Sequence, residues 1–316
     1  MGGFFSALGQ KLAERWLTLL VLPGALFLAI STAARTLGQA HALDVCRLTG
    51  RITDWVKTPA AATAGGQVML LGAVLAAAAM AGLAAQGLGT LVQRMALAAD
   101  WHMWPRLLRQ WAHIRVVRRR ARWTAAAHRY RQQLDTDAGA LALNGRRADP
   151  ASRRMAHNAL QRIAVEEPDR PTWSGDRIHA VTVRLERDHH LDLPLLWPHL
   201  WLTLPETTRA EITTAEQALT RAATLGGWAL LYAPLTAWWW PALPLTAALA
   251  LTARHRVRSA TDTYAQLLEA AARLHTTDLA AQLGVDHAGP LDPALGDAIT
   301  HQLRTRTAFP STSGPG

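Results

Sequence analysis

Residues 68–93 read VMLLGAVLAAAAMAGLAAQGLGTLVQ, without a single Asp, Glu, Lys or Arg. An α-helix needs about 20 apolar residues to cross the hydrocarbon core of a bilayer, so this stretch is long enough to span it. Two further stretches, residues 16–34 and 222–253, also lack charged side chains. The sequence therefore predicts an all-α fold, a polytopic helical membrane protein with two transmembrane hairpins.

The second predicted hairpin occupies residues 222–253. As one straight helix it would be about 48 Å long at ~1.5 Å per residue, against a hydrocarbon core of about 30 Å. Trp238, Trp239 and Trp240 precede Pro241 at its middle. Because Trp favours the membrane interface and Pro breaks helices, we expect the chain to fold back here, with the three Trp side chains as interface anchors. A re-entrant hairpin that goes only part-way is the alternative.

The first predicted hairpin occupies residues 16–93, with an outer loop at 35–67 and a kink at Pro23-Gly24. An amphipathic interfacial helix is expected before it, over residues 1–15, where apolar side chains recur at helical spacing. The alternative is a cleaved signal peptide, because a basic region, an apolar run and the small-residue triplet Ala40-His41-Ala42 occur in that order.

Positive charge predicts the orientation. Residues 94–131 contain ten Arg and one Asp, and basic residues beside a span stay in the cytoplasm. We therefore expect cytoplasmic N- and C-termini in a bacterial inner membrane, a cytoplasmic helical region at 94–221 that is basic and then mixed in charge, cytoplasmic helices at 254–308, and a disordered tail at 309–316. The scarcity of Lys among the basic residues suggests the bacterial source, and the single Cys46 excludes an internal disulfide.

A ladder of small residues marks a predicted helix-packing face in the second span. Its members recur at every fourth position: Ala73, Ala77, Ala81, Ala85 and Gly89. Small residues let two helix backbones approach closely in lipid, so the ladder would contact another helix of this chain or of a second copy in a homo-oligomer. Gln86 is expected to face that contact. An Ala-rich sequence also produces such ladders by chance.

The Arg-rich segment is interleaved with Trp101, Trp104, Trp111 and Trp123. Beside a membrane, this composition predicts binding to the lipid bilayer through anionic headgroups. The residues expected to bind headgroups are Arg115, Arg118, Arg119, Arg120 and Arg122. Nucleic acid is the competing ligand, although the segment has no recognised nucleic-acid-binding motif. The segment could also serve only as the topology signal.

One motif supports a resemblance. Pro171-Thr172-Trp173-Ser174-Gly175-Asp176-Arg177 is followed by Trp197-Pro198-His199-Leu200 and Leu204-Pro205. This resembles a widespread set of uncharacterised bacterial multi-pass integral membrane proteins, in which a Pro-Thr-x-x-Gly-Asp segment and a Trp-Pro-Arg-Leu helix start precede a Trp-rich membrane hairpin. His189-His190 stand where those proteins have Tyr-Gly, and His199 where Arg is usual. The resemblance implies a membrane architecture and no particular activity.

The best candidate for chemistry is the group Asp188, His189, His190, Asp192 and His199. Its spacing fits no helical metal-ligand pair, and adjacent His side chains seldom point at one ion, so a solvated turn is the favoured interpretation. Phosphate loops and nucleophile motifs are absent from the sequence. We therefore expect no catalytic, cofactor-binding or metal-binding residues.

These patterns favour a non-enzymatic membrane scaffold or signalling component whose cytoplasmic helices bind a protein partner. An oligomeric pore or membrane-disrupting effector is the second hypothesis. A transporter ranks third, because coupled transport generally uses ionisable groups within the bilayer and the predicted spans contain none.

Overall fold

The computed structural model describes residues 21–56, 63–145, 149–287 and 289–304, so the predicted interfacial helix and the C-terminal tail lie outside the described residues. The described residues form ten α-helices and no β-strand, which confirms the all-α fold class. The helices are α1 (Leu22–Leu37), α2 (Val45–Val56), α3 (Ala64–Leu97), α4 (Arg106–Asn144), α5 (Pro150–Ile163), α6 (Trp173–His189), α7 (Leu193–Thr203), α8 (Glu206–Tyr232), α9 (Ala242–Gln282) and α10 (Pro293–Leu303). Helix α2 lies where the sequence predicted a loop outside the membrane.

The chain divides into two compact units. The first comprises Met1–Met95 and Leu219–Val257, and the second comprises Ala96–Ala218 and Arg258–Gly316. The boundaries fall within α3, α8 and α9, so each of these helices contributes to both units.

In the first unit, helices pack backbone against backbone at glycines. A Cβ atom on Gly24 of α1 would overlap the carbonyl oxygen of Ala78 on α3, and one on Gly227 of α8 would overlap the carbonyl oxygen of Ala85. A Cβ atom on Gly89 would lie 2.7 Å from the Cα atom of Thr224. Close approach through small residues is the usual way in which helices associate in lipid.

The apolar stretch at residues 222–253 is interrupted at its middle. Helix α8 ends at Tyr232, a 3-10 helix covers Ala233–Ala237, and α9 begins at Ala242. Trp238, Trp239 and Trp240 lie in this break, and the indole Nε1 of Trp239 donates a hydrogen bond to the Ala42 carbonyl at 2.9 Å. Trp238 and Trp240 are exposed. Apolar side chains of α1, α8 and α9 surround the break: Phe27, Ile30, Trp228, Tyr232, Leu245 and Leu249.

The second unit has its own hydrophobic core. Side chains of α6, α7, α9 and α10, with the first half of α8, form one continuous cluster. Its fully buried members include Leu185, Leu196, Leu200, Ile212 and Ile299. This cluster gives the second unit an apolar core of its own.

Helices α6 and α9 run parallel and pair in register. The Arg258 guanidinium lies 4.4 Å from the centre of the Trp173 ring, and Arg177 donates to Asp262 at 2.5 Å. Farther along, Arg184 pairs with Glu269 at 2.8 Å and Asp188 with Arg273 at 3.4 Å. In all four pairs the α9 residue lies 85 positions after its α6 partner.

Candidate functional site

The conspicuous polar arrangement of the second unit lies at the start of α6, within the Pro171–Arg177 motif. Thr172 is the N-cap residue: its hydroxyl accepts a hydrogen bond from the Gly175 amide at 3.1 Å and donates one to the Ala96 carbonyl at 2.5 Å. A Cβ atom on Gly175 would overlap the Leu97 carbonyl oxygen. The motif therefore holds the first turn of α6 against the last residues of α3.

Asp176 is the centre of this arrangement, with only 4% of its surface exposed. Its Oδ1 accepts hydrogen bonds from the backbone amides of Asp169 at 3.0 Å and Arg170 at 2.7 Å, and its Oδ2 accepts one from Arg119 Nη2 at 2.5 Å. Burial raises the pKa of Asp176, while the Arg119 charge and the two amides oppose that shift. We call Arg119, Asp169, Arg170, Thr172 and Asp176 the Asp176 hub.

The hub fastens α4 to the segment that leads into α6. Arg119 also donates to the Ile163 carbonyl at 2.8 Å, and Arg120 donates to the Pro168 carbonyl at 2.9 Å. The indole groups of Trp101 and Trp123 donate to the carbonyls of Asp169 and Ala164, at 3.2 and 3.1 Å. These side chains satisfy the carbonyl at the end of α5 and those of the loop that follows it, which is a structural role.

The five arginines predicted to bind headgroups divide into different environments. Arg119 belongs to the hub, and Arg120 pairs with Asp169 at 2.8 Å and Glu167 at 3.4 Å. The Arg115 guanidinium lies 5.0 Å from the centre of the Trp111 ring. Arg118 and Arg122 are exposed on the outer side of α4. The hydrogen bonds of Arg119 show that not every arginine in an Arg-rich stretch faces solvent.

The predicted small-residue ladder is only partly buried. Ala85 and Gly89 are buried, Ala77 and Ala81 are half-buried, and Ala73 is exposed. The buried stripe of α3 consists of Ala78, Gly82, Ala85 and Gly89. Steps of four residues advance about 40° per step around a helix of 3.6 residues per turn, so the ladder turns away from a straight partner helix. Gln86, which we expected in the contact, is exposed instead.

Asp188, His190 and Asp192, near the end of α6, contact different residues, and the Nδ1 atom of His189 is buried without a hydrogen-bond partner. Asp188 pairs with Arg187 at 3.1 Å, and the hydrogen bond from Arg187 lowers the pKa of Asp188. His190 contacts Asp297 at 3.0 Å, and Asp192 caps α7 by accepting from the Leu195 amide. His199 is exposed. Among the described residues, no group of three or more His, Cys, Asp or Glu side chains is arranged to hold a metal ion.

Helix α3 is the one described helix that is long and apolar enough to cross a membrane, by length and composition. Helix α1 is apolar but shorter. The finer arrangement of two transmembrane hairpins therefore stays a prediction. No protein-family model matches this chain, and no curated protein or solved structure matches it.

Proposed function

We propose that the chain is a non-enzymatic integral membrane scaffold or signalling component, whose second unit binds a cytoplasmic protein partner. The observation that carries this proposal is the exposure of the apolar side chains of α3. Met69 and Met80, for example, are 80% and 68% exposed. In water, exposed apolar surface is unfavourable by roughly 25 cal/mol per Å², whereas lipid tails would cover it without that cost.

The second unit supports a binding rather than a catalytic role. Its conspicuous buried carboxylate, Asp176, is occupied by three hydrogen-bond donors, and the α6–α9 ion pairs join helices to each other. A carboxylate and ion pairs that are fully engaged with other side chains of the unit stabilise its helical packing. A rigid helical body tethered to a membrane is suited to presenting a surface to another protein.

A candidate partner surface lies where α4 and α5 meet near their connection. The two helices are antiparallel, because Arg119 reaches Ile163 and Asp137 pairs with Arg153 at 2.6 Å. Leu141, Leu143 and Met155 are exposed at this end. Exposed large apolar side chains can mark a protein interaction site.

A photoreactive residue in place of Met155 tests the scaffold proposal in cells that express the full chain. We expect a discrete crosslinked product larger than the 34.4 kDa chain. The matched control places the same residue at Thr214, which is an exposed polar position of the second unit. Equal products from both positions, or none from Met155, would contradict a partner site at the α4–α5 end.

An oligomeric pore is the second candidate, and the exposure of Gln86 on α3 favours it. An amide on the outer side of an apolar helix is available to a second copy, where it could line a hydrated path. Purified protein in liposomes should then conduct ions only at densities that give oligomers, and Gln86→Leu should abolish the current. Absence of ion flux at every density would eliminate the pore.

A further inference from the structure

Exposed apolar side chains lie along the first turns of α4 and at Met103 just before it. Met103 and Leu107 are 86% and 81% exposed, and Trp111 and Ile114 are exposed as well. Leu107, Trp111 and Ile114 are spaced by four and three residues, so they share one face of the helix. Ala112 and Val116 on the other side are buried. We call Met103, Leu107, Trp111 and Ile114 the α4 stripe.

The charged residues in the sequence around the α4 stripe are all positive. Residues 101–134 contain nine Arg and neither Asp nor Glu. Arg106 and Arg118 are exposed beside the stripe, and the Arg115 guanidinium lies over the Trp111 ring. An apolar face with Trp and Leu, bordered by cations, is the pattern of helices that lie in the headgroup region of an anionic bilayer.

A hollow adjoins the α4 stripe and has the same chemistry. It has a volume of about 420 Å³, and its walls combine cationic, imidazole and apolar groups. The residues that line it are Trp101, His102, Arg109, Gln110, His113 and Ile114. Its mostly apolar walls suit a lipid acyl chain.

We propose that the α4 stripe inserts into the headgroup region of an anionic phospholipid bilayer, with Arg106 and Arg118 contacting lipid phosphates. Only Ala98, Ala99 and Asp100 separate the end of α3 at Leu97 from Trp101, so the chain keeps this surface near the end of the candidate span. The inference rests on the proposed membrane location of α3. It differs from a general attraction by Arg because it assigns the contact to one apolar face.

Lipid quenching of a single fluorescent label tests this placement in the full chain. The native exposed Cys46 is replaced in Cys46→Ser, and a label is then attached at Leu107→Cys, Gln132→Cys or Met80→Cys. The protein is reconstituted into vesicles of phosphatidylglycerol and phosphatidylethanolamine that carry brominated lipid. We expect the label at Leu107 to be quenched several-fold more strongly than the label at Gln132, which is exposed farther along α4.

The other arms separate the possible outcomes. In phosphatidylcholine vesicles, or with Arg106→Gln and Arg118→Gln, quenching at Leu107 should fall while quenching at Met80 persists. Quenching at Met80 but not at Leu107 would overturn the placement of the stripe and leave the membrane proposal intact. Absence of quenching at Met80 would overturn the membrane proposal itself. A label at Leu107 shielded from a water-soluble quencher, yet untouched by brominated lipid, would show that protein covers the stripe and would contradict the inference.

Discussion

At the scale of single residues, the helix packing of the first unit depends on a few glycines, because a Cβ atom would not fit at their positions. Gly227 and Gly24 each approach a backbone carbonyl of α3, so no Cβ atom fits at either position without a shift of the helix. The sequence drew attention to Ala85 and Gly89, but it could not identify Gly227 as their partner. That pairing depends on how two distant helices meet.

Gly227→Ala should therefore destabilise the first unit. The new Cβ atom would overlap the Ala85 carbonyl oxygen, and overpacking of this kind costs about 1–3 kcal/mol. The matched control is Gly87→Ala on α3, where no atom lies within 4 Å of the new Cβ and where alanine should stabilise the helix slightly. Thermal unfolding of the full chain in detergent measures the stability of both variants. A Gly227→Ala protein as stable as the Gly87→Ala protein would contradict the close contact.

Asp176→Asn should destabilise the second unit strongly. The change removes the negative charge that pairs with Arg119, and breaking a buried ion pair costs about 3–5 kcal/mol. Asp135→Asn is the control, because Asp135 is an exposed carboxylate on the same helix as Arg119. Chemical denaturation followed by circular dichroism compares the two variants. Similar midpoints for both would show that the Asp176 hub does not organise the unit.

At the scale of elements, the sequence predicted the features that depend on local composition alone. The apolar run at residues 68–93 lies inside α3. The parallel pairing of α6 and α9 was not predicted, because charged residues 85 positions apart carry no periodic signal that relates them. The outer loop was predicted at residues 35–67 because that segment lies between two predicted spans, and α2 forms within it.

The α6–α9 pairing predicts a measurable coupling between Arg184 and Glu269. Because both side chains are largely buried, a double-mutant cycle of Arg184→Met and Glu269→Gln should give an interaction of about 1 kcal/mol. The comparison pair is Glu206 and Arg209, which lie within one helix turn, with the Glu206 side chain 82% exposed and that of Arg209 35% exposed. Its coupling should be smaller, about 0.3–0.5 kcal/mol. Equal coupling in both cycles would contradict a structural role for the α6–α9 ion pairs.

At the scale of the whole molecule, the chain combines a unit whose helices pack through glycines with a unit that has an ordinary apolar core and buried ion pairs. Segment-by-segment polarity predicted the contrast, since the Arg-rich region and the uncharged stretches alternate along the chain. The role of the Pro171–Arg177 motif could not be derived from the sequence. Its Thr, Gly and Asp residues contact atoms of Ala96, Leu97 and Arg119, which lie more than fifty positions earlier.

The central claim is that α3 crosses a membrane, and labelling at its two ends tests it most directly. In a Cys46→Ser background, Gln67→Cys and Arg94→Cys each place one thiol at an exposed position near one end of α3. Bacterial spheroplasts, which lack an outer membrane but keep a sealed inner one, are treated with a membrane-impermeant maleimide. The reagent should modify Gln67→Cys at once, and Arg94→Cys only after the spheroplasts are lysed. Both thiols reacting together, either before or only after lysis, would contradict a membrane-spanning α3.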